Sequence, residues 1–338
     1  MNHFSKLSTF ALLAFTLTAT SACQDTSRRS DSGSDLQPPS ADAFASLALD
    51  AREDLLQSFT IDADTLETVV GEQGTTISFS WNAGLTYPDG SPVTGDVNLE
   101  LIEIFDRGSM LVTGMPTNGR LPSGEPGQLI SGGEHYVNAT QNGEDLELVG
   151  SFFLEAPSDN TGGFDNNMDV FRAETADGDA AGLEDNSVWV EGSGNGSWCC
   201  NTEGGEGALY GLTSDQFGWS NIDRWYGDPR PKTFFSVEVP QGWDSTNSEV
   251  YVTDDDQDNI LTTLGGGGEG SPLFGFTGDV VPVGLNVHVI FVTENEGQWS
   301  YVIQSHTVVH EDALDFTSTD DFIHTDQEGI IDAINNLP

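Results

Sequence analysis

Apolar and polar positions alternate along Thr75-Thr76-Ile77-Ser78-Phe79-Ser80-Trp81 and again from Asp96 to Ile104. That period of two predicts strands with one buried face. Pro88-Asp89-Gly90 and Asn142-Gly143 supply turn chemistry, since Gly and Asn accept positive φ at little cost. Residues 134–148 therefore read as a hairpin closed at Asn142-Gly143, and residues 59–157 as a unit the size of a β-sandwich. Strand patterns return at Thr233–Val239, Glu249–Thr253, Ile260–Leu264 and Val287–Val292, while Gln298–Val309 suits one long strand or two. Helical spacing is confined to two places. Phe44, Leu47, Ala48, Ala51, Leu55 and Phe59 predict a short helix before the first strand; Ile330, Ile331 and Ile334 predict one after Thr325 that docks on the second module. Residues 158–188 and 192–209 are polar and rich in Gly, Asp and Asn, and read as long loops. The expected fold is all-β: an N-terminal β-sandwich module (44–157), a loop-rich connection (158–231) and a C-terminal β module (232–338) with a terminal helix.

The first residues follow a different pattern. Lys6 opens the chain, an apolar run spans Phe10 to Ala19, and Thr20-Ser21-Ala22 lead into Cys23. A basic start, a short apolar core and small residues before a cleavage point describe an export signal. The run is too short and too interrupted by Thr and Ser for a membrane span. The cysteine after the small residues resembles the lipobox of bacterial lipoproteins, with Thr20 standing where Leu is usual. That resemblance implies removal of residues 1–22, diacylation of Cys23 and anchoring in the cell envelope; Gln24 favours the outer membrane. Residues 23–43, rich in Ser, Asp and Pro, then form a flexible tether.

Charge narrows the partners. Ten basic residues face 55 acidic ones, a formal charge of −45, and cleavage before Cys23 removes Lys6 and no acid. Nucleic acid is excluded as a partner, because binding it depends on Lys and Arg neutralising phosphates. An acid excess spread along the whole chain fits a salt-rich habitat, with divalent-cation sites as the competing reading. Thirty-nine glycines suit many short strands and turns. With Cys23 lipidated, the adjacent Cys199 and Cys200 remain; they admit a vicinal disulfide, two free thiols or, least suitably, a metal pair.

Further resemblance lies in the body of the chain. Gly95-Asp96-Val97 opens a strand containing Glu103; Thr117 follows a short loop; Ser131-Gly132-Gly133 precedes the hairpin; then come Met168, Phe171, Trp189 and the run Gly218-Trp219-Ser220-Asn221-Ile222-Asp223-Arg224-Trp225. Together these resemble uncharacterised bacterial surface lipoproteins with a ZU5-like β-sandwich module. In those relatives the last run tends to carry a cysteine where this chain has Ile222, so no cysteine role transfers. The resemblance implies an all-β ectodomain and brings neither catalytic residues nor a ligand.

Three constellations invite chemistry. Asp254, Asp256 and Asp258 have the 1-3-5 spacing of a calcium loop, a candidate Ca²⁺ site, although Asn259 stands where Gly is needed and Gly265 where Glu is needed. His306 and His310 share a strand face about 13 Å apart, too far for one metal. Trp198, Trp219, Trp225, Tyr226 and Trp243 fall near Arg224, and suit either a core or a ligand-binding surface for sugars. The Gly265–Gly268 run lacks the Lys-Ser/Thr ending of a phosphate loop and reads as a linker. No catalytic residue emerges, for no serine sits in GxSxG and neither mature cysteine carries a family signature. The expectation is a lipid-anchored envelope protein with a non-enzymatic structural or adhesive role, meeting a glycan or an envelope protein. A carbohydrate- or Ca²⁺-dependent binding module and a hydrolase with unidentified acids are the alternatives.

Overall fold

The computed structural model describes residues 36–185, 187–192, 207–276, 278, 280–316, 318 and 321–338. Cys23, Trp198, Cys199 and Cys200 lie outside the described residues.

The chain is all-β, with three α-helices among the described residues. Helix α1 (Ala41–Leu55) starts at Ser40, whose hydroxyl accepts the Ala43 N–H, and buries Leu47 and Ala51. It ends earlier than the apolar spacing predicts, because Leu56 is extended and Phe59 belongs to a strand paired with Leu99. The principal strands of the N-terminal half are β1 (Gln57–Asp62), β2 (Thr76–Phe79), β3 (Asp96–Ile104), β4 (Asn118–Arg120), β5 (Pro126–Gln141), β6 (Phe152–Pro157), β7 (Asp169–Glu174), β8 (Val188–Glu191), β9 (Leu209–Ser214) and β10 (Gly218–Trp225). Those of the C-terminal half are β11 (Phe235–Glu238), β12 (Ser248–Asp254), β13 (Gln257–Thr263), β14 (Asn286–Asn295) and β15 (Gln298–Thr307).

The predicted hairpin forms at Asn142 (φ 57°) and Gly143 (φ 80°), with Gln141 opposite Glu144. Its first strand, β5, is 16 residues long and organises the N-terminal half. Its Leu129–Val137 stretch pairs β10; its two ends pair β4 and β3. From β10 the sheet runs through β7 and β8 to β4 and so back to β5, closing a ring of five strands. Trp225 fills this ring: a Cβ on Gly119 or Gly127 would come within 2.8 and 2.6 Å of its indole. The stretch 158–231, expected as a loop-rich connection, thus carries β7 to β10, and three of them, β7, β8 and β10, are inner strands of the main sheet.

A second sheet, β9-β6-β2 with Val69–Val70 at its edge, covers β3 and β5 over a core of Ile77, Leu99, Leu101, Leu154, Tyr210 and Ile222. The C-terminal half packs sheet β13-β12-β14-β15 against a smaller one around β11, over Phe235, Val250, Val289 and Phe291. Gln298–Thr307 is one strand, paired along its length with β14. Gly265-Gly266, read as linker, pairs with Phe274 and Gly275.

The halves share a third core. Trp189 and Trp219 of the ring meet Leu261, Ile290 and Trp299 of the C-terminal sheet there, together with Ile330 and Ile334. The joint is also hydrogen-bonded. Thr117 N–H and Oγ1 donate to Leu261 O (2.7 and 3.0 Å), and Leu261 N–H donates back to Thr117 Oγ1 (3.1 Å). Asn118 Oδ1 accepts the Thr263 N–H (2.8 Å) while its amide donates to Thr263 O (3.0 Å). Side chains thereby complete the ladder at the β13 edge. The terminal helix α3 (Gln327–Asn335) forms as predicted, but its main partner is α2 (Arg107–Thr113) of the N-terminal half. Gly108 lets α3 approach closely, since a Cβ there would lie 2.6 Å from Ile331 O. No α2 was expected, because a seven-residue helix buried on every side carries no amphipathic stripe. No helix among the described residues is long and apolar enough to cross a membrane.

Candidate functional site

The structure disperses the aromatic cluster. Trp219 is buried, donating Nε1–H to Gly182 O (3.1 Å) beneath the Arg52 guanidinium. Trp225 meets Phe171 edge-on at 5.3 Å inside the ring. Trp243 lies in the C-terminal core and donates to Thr293 Oγ1 (3.1 Å). Arg224, on the opposite face of β10 from Trp219 and Trp225, pairs with Asp165 (2.6 Å). Tyr226 donates its hydroxyl to Asp254 Oδ2 (2.9 Å). These rings are packing groups, each facing a different neighbour.

The aspartates do not converge either. Asp254 ends β12 and Gln257 opens β13 directly opposite it, so the run is a tight hairpin rather than a loop long enough to wrap a cation. Asp254 points inward, where burial raises its pKa against the hydrogen bonds from the Asp256 N–H and Tyr226; Asp256 and Asp258 are exposed. Among the described residues no group of three or more His, Cys, Asp or Glu could hold a metal ion. His306 Nε2 pairs with Asp312 Oδ2 (2.7 Å), and His310 is exposed.

Two features stand in their place. The first is Trp81, just beyond β2, whose side chain is 97% exposed. Its turn is held firmly: Ser80 N–H donates to Ser151 O (2.9 Å), Ser151 N–H to Ser80 Oγ (3.3 Å) and Ala83 N–H to Ser80 O (2.8 Å). Val149, opposite Gly84 in the adjoining strand pair, is exposed as well. A full indole exposed on a braced turn has the size and amphipathic character typical of contact residues. The sequence signal was its place at the end of the alternating run, next to Asn82, where a strand residue runs out of sheet to cover it.

The second is a belt of polar residues through the centre of the main sheet. Five of the seven buried side-chain polar atoms that lack a partner among the described residues belong to β5 and β10. On the face toward β6 and β9, Glu103, His135 and Ser220 lie directly opposite one another across β3, β5 and β10. The order is that of acid, base and nucleophile, yet no hydrogen bond joins them. Glu103 accepts instead from Gln57 Nε2 (2.8 Å), Gln73 N–H (2.9 Å) and Thr75 N–H (2.9 Å). Burial works to raise its pKa, but these donors prevail and hold it below the usual value. Neither nitrogen of His135 has a partner, and burial pushes its pKa down to about 4 despite the nearby Glu103. The acid of this row fastens the 71–75 loop, and burial favours the neutral form of its imidazole.

On the other face Asn221 joins Ser131, Glu134 and Asp223. Its Oδ1 accepts from Ser131 Oγ (3.0 Å), and its Nδ2 donates to Asp223 Oδ2 (2.7 Å) and Glu134 Oε1 (3.3 Å). Gly132-Gly133, opposite Ile222 alone, forms the bulge that turns these side chains toward each other; Gly133 has φ 129°. Burial raises the pKa values of Glu134 and Asp223 well above the usual carboxylate range; the charge of Asp223 adds to the shift of Glu134, and that of Arg52 opposes it. Both carboxyls are thereby biased toward the protonated form inside the sheet.

No family model matches the chain, and neither the curated proteins nor the solved structures contain a match.

Proposed function

We propose that this is a lipid-anchored envelope protein with a non-enzymatic, adhesive role, in which a rigid β body presents Trp81 to a glycan or protein of the envelope. The observation that carries the reading is Trp81 itself, a large ring exposed on a turn that three backbone-centred hydrogen bonds brace. Support also comes from the acids and histidine of the main sheet, which are buried or hydrogen-bonded within the fold. The lipobox-like Met1–Cys23 supports the anchor.

Two experiments test the reading. Cell fractionation is expected to place the native chain with membranes and Cys23→Ser in the soluble fraction; identical partitioning would remove the anchor. Envelope material passed over the immobilised full chain carrying Cys23→Ser should leave a polysaccharide or protein bound, and Trp81→Ala should release most of it. Retention unchanged by Trp81→Ala, or no retention at all, overturns the adhesive reading.

A further inference from the structure

A cleft of ≈ 670 Å³ opens where α1 crosses from the N-terminal half to β12 and β13. That volume suits a small molecule, and the junction of two modules is where such sites are commonly built. Strand β12 alternates, sending Val250 and Val252 into the C-terminal core and Glu249 and Tyr251 to the α1 side. Glu249 forms part of the lining. Its Oε2 accepts from the Tyr251 hydroxyl (2.7 Å) and its Oε1 from Thr263 Oγ1 (2.7 Å). These hydroxyls fix the carboxylate in place without neutralising it.

The charge in the cleft is unbalanced. Arg52 is the one basic side chain among its described lining residues. Its Nε binds Thr113 O (2.7 Å), one terminal nitrogen binds Leu183 O (2.6 Å) and Asp185 O (3.1 Å), and the other terminal nitrogen meets Met115 Sδ (3.7 Å), so none of these bonds reaches Glu249. The other ionisable groups on the lining besides Tyr251, Asp42 and Glu184, are acids. Phe44, Tyr251, Phe274 and Trp299 contribute aromatic surface. An oriented carboxylate among aromatic rings, without a basic partner, is the chemistry that recognises an ammonium group through charge and ring quadrupole together.

We propose that this cleft binds a small organic cation, an amine with an apolar body, with Glu249 as its counter-ion. Burial raises the pKa of Glu249 and its two hydroxyl donors only partly offset this, so a bound ammonium would favour its ionised form. The inference depends neither on the lipid anchor nor on Trp81.

The test is calorimetric titration of the full chain with phenethylammonium, with 2-phenylethanol as the uncharged isostere, at constant ionic strength. Saturable binding of the ammonium is expected, with the alcohol weaker by about tenfold or more. Glu249→Gln keeps a group that can bond both hydroxyls, and should lose the ammonium affinity by a similar factor while its thermal unfolding stays close to that of the native chain. Trp81→Ala should bind as the native chain does. Equal affinity for ammonium and alcohol, undiminished binding by a folded Glu249→Gln, or no saturation up to about 10 mM overturns the proposal.

Discussion

Asn221→Leu is expected to leave the chain unfolded or nearly so at neutral pH. The replacement keeps the branched four-atom skeleton, with bulkier tips, and is apolar, so a count of hydrophobic positions alone would tolerate it in the interior of β10. The geometry says otherwise. One amide serves three partners: Ser131 Oγ, Glu134 Oε1 and Asp223 Oδ2. Leucine removes all three bonds, and each stranded buried group costs about 1–3 kcal/mol. The total is comparable to the ~5–15 kcal/mol that separates a folded domain from its unfolded chain. Among the described residues Glu134 and Asp223 already have one buried oxygen each without a hydrogen-bond partner. Urea unfolding followed by tryptophan fluorescence reads the effect directly, since Trp219 and Trp225 flank the site on β10. A midpoint displaced by less than the equivalent of about 1 kcal/mol would show that these groups are not joined as described. Trp81→Ala, on the surface, should leave the midpoint in place.

The same network explains which parts of the fold could be read in advance. Strands with one wet face announced themselves. Asp96–Leu101 and the hairpin at Asn142-Gly143 could be read because the outer residues of these segments meet water or a polar neighbour. Strand β10 also alternates, but with Trp219, Asn221, Asp223 and Trp225 on one face and Ser220 and Ile222 on the other. Both faces are buried and both carry polar groups, so a hydrophobic count cannot separate inside from outside. Residues 158–231 look like loops for this reason: their glycines and acids serve the inner strands and turns of the ring. Glu103, Thr117, Ser131 and Asn221 were singled out as landmarks with no role attached, and their role is now physical. Glu103 fastens the 71–75 loop, Thr117 completes the β13 edge, and Ser131 and Asn221 meet across the bulge. Spacing alone could not supply these roles, because each depends on a partner 28 to 144 residues away. The aspartates of 254–258 erred in the opposite direction. Their spacing matched a cation loop, but a tight turn between β12 and β13 fixed Asp254 inward and left its neighbours in solvent.

His135 gives the second large effect, and it is a dependence on pH. The imidazole is fully buried, packs edge-on against Phe105 at 5.4 Å, and has a pKa of about 4 against an ordinary value of 6.5. Between those values the unfolded chain binds a proton there and the folded chain does not, so stability rises with pH through the window and is lost as pH falls from 6.5 toward 4. A displacement of that size corresponds to about 3 kcal/mol. Glu134 and Asp223 act in the other direction. Their pKa values are raised by burial, so above the ordinary carboxylate range the folded chain binds more protons than the unfolded one, and stability falls with rising pH until both have ionised. The two carboxyls oppose the histidine over the same window, so only a difference measurement isolates the histidine. Subtracting the urea-derived stability of His135→Leu at each pH should give a curve that climbs by about 3 kcal/mol from pH 4 to pH 6.5 and is level above that. The leucine fits beside Phe105 and leaves Glu103 with its three donors, so the carboxylate's own titration cancels in the difference. A flat difference curve would mean that the imidazole is charged or hydrated in the folded chain. A curve level below pH 6.5 and descending above it would mean that Glu103, and not burial, governs the proton on His135.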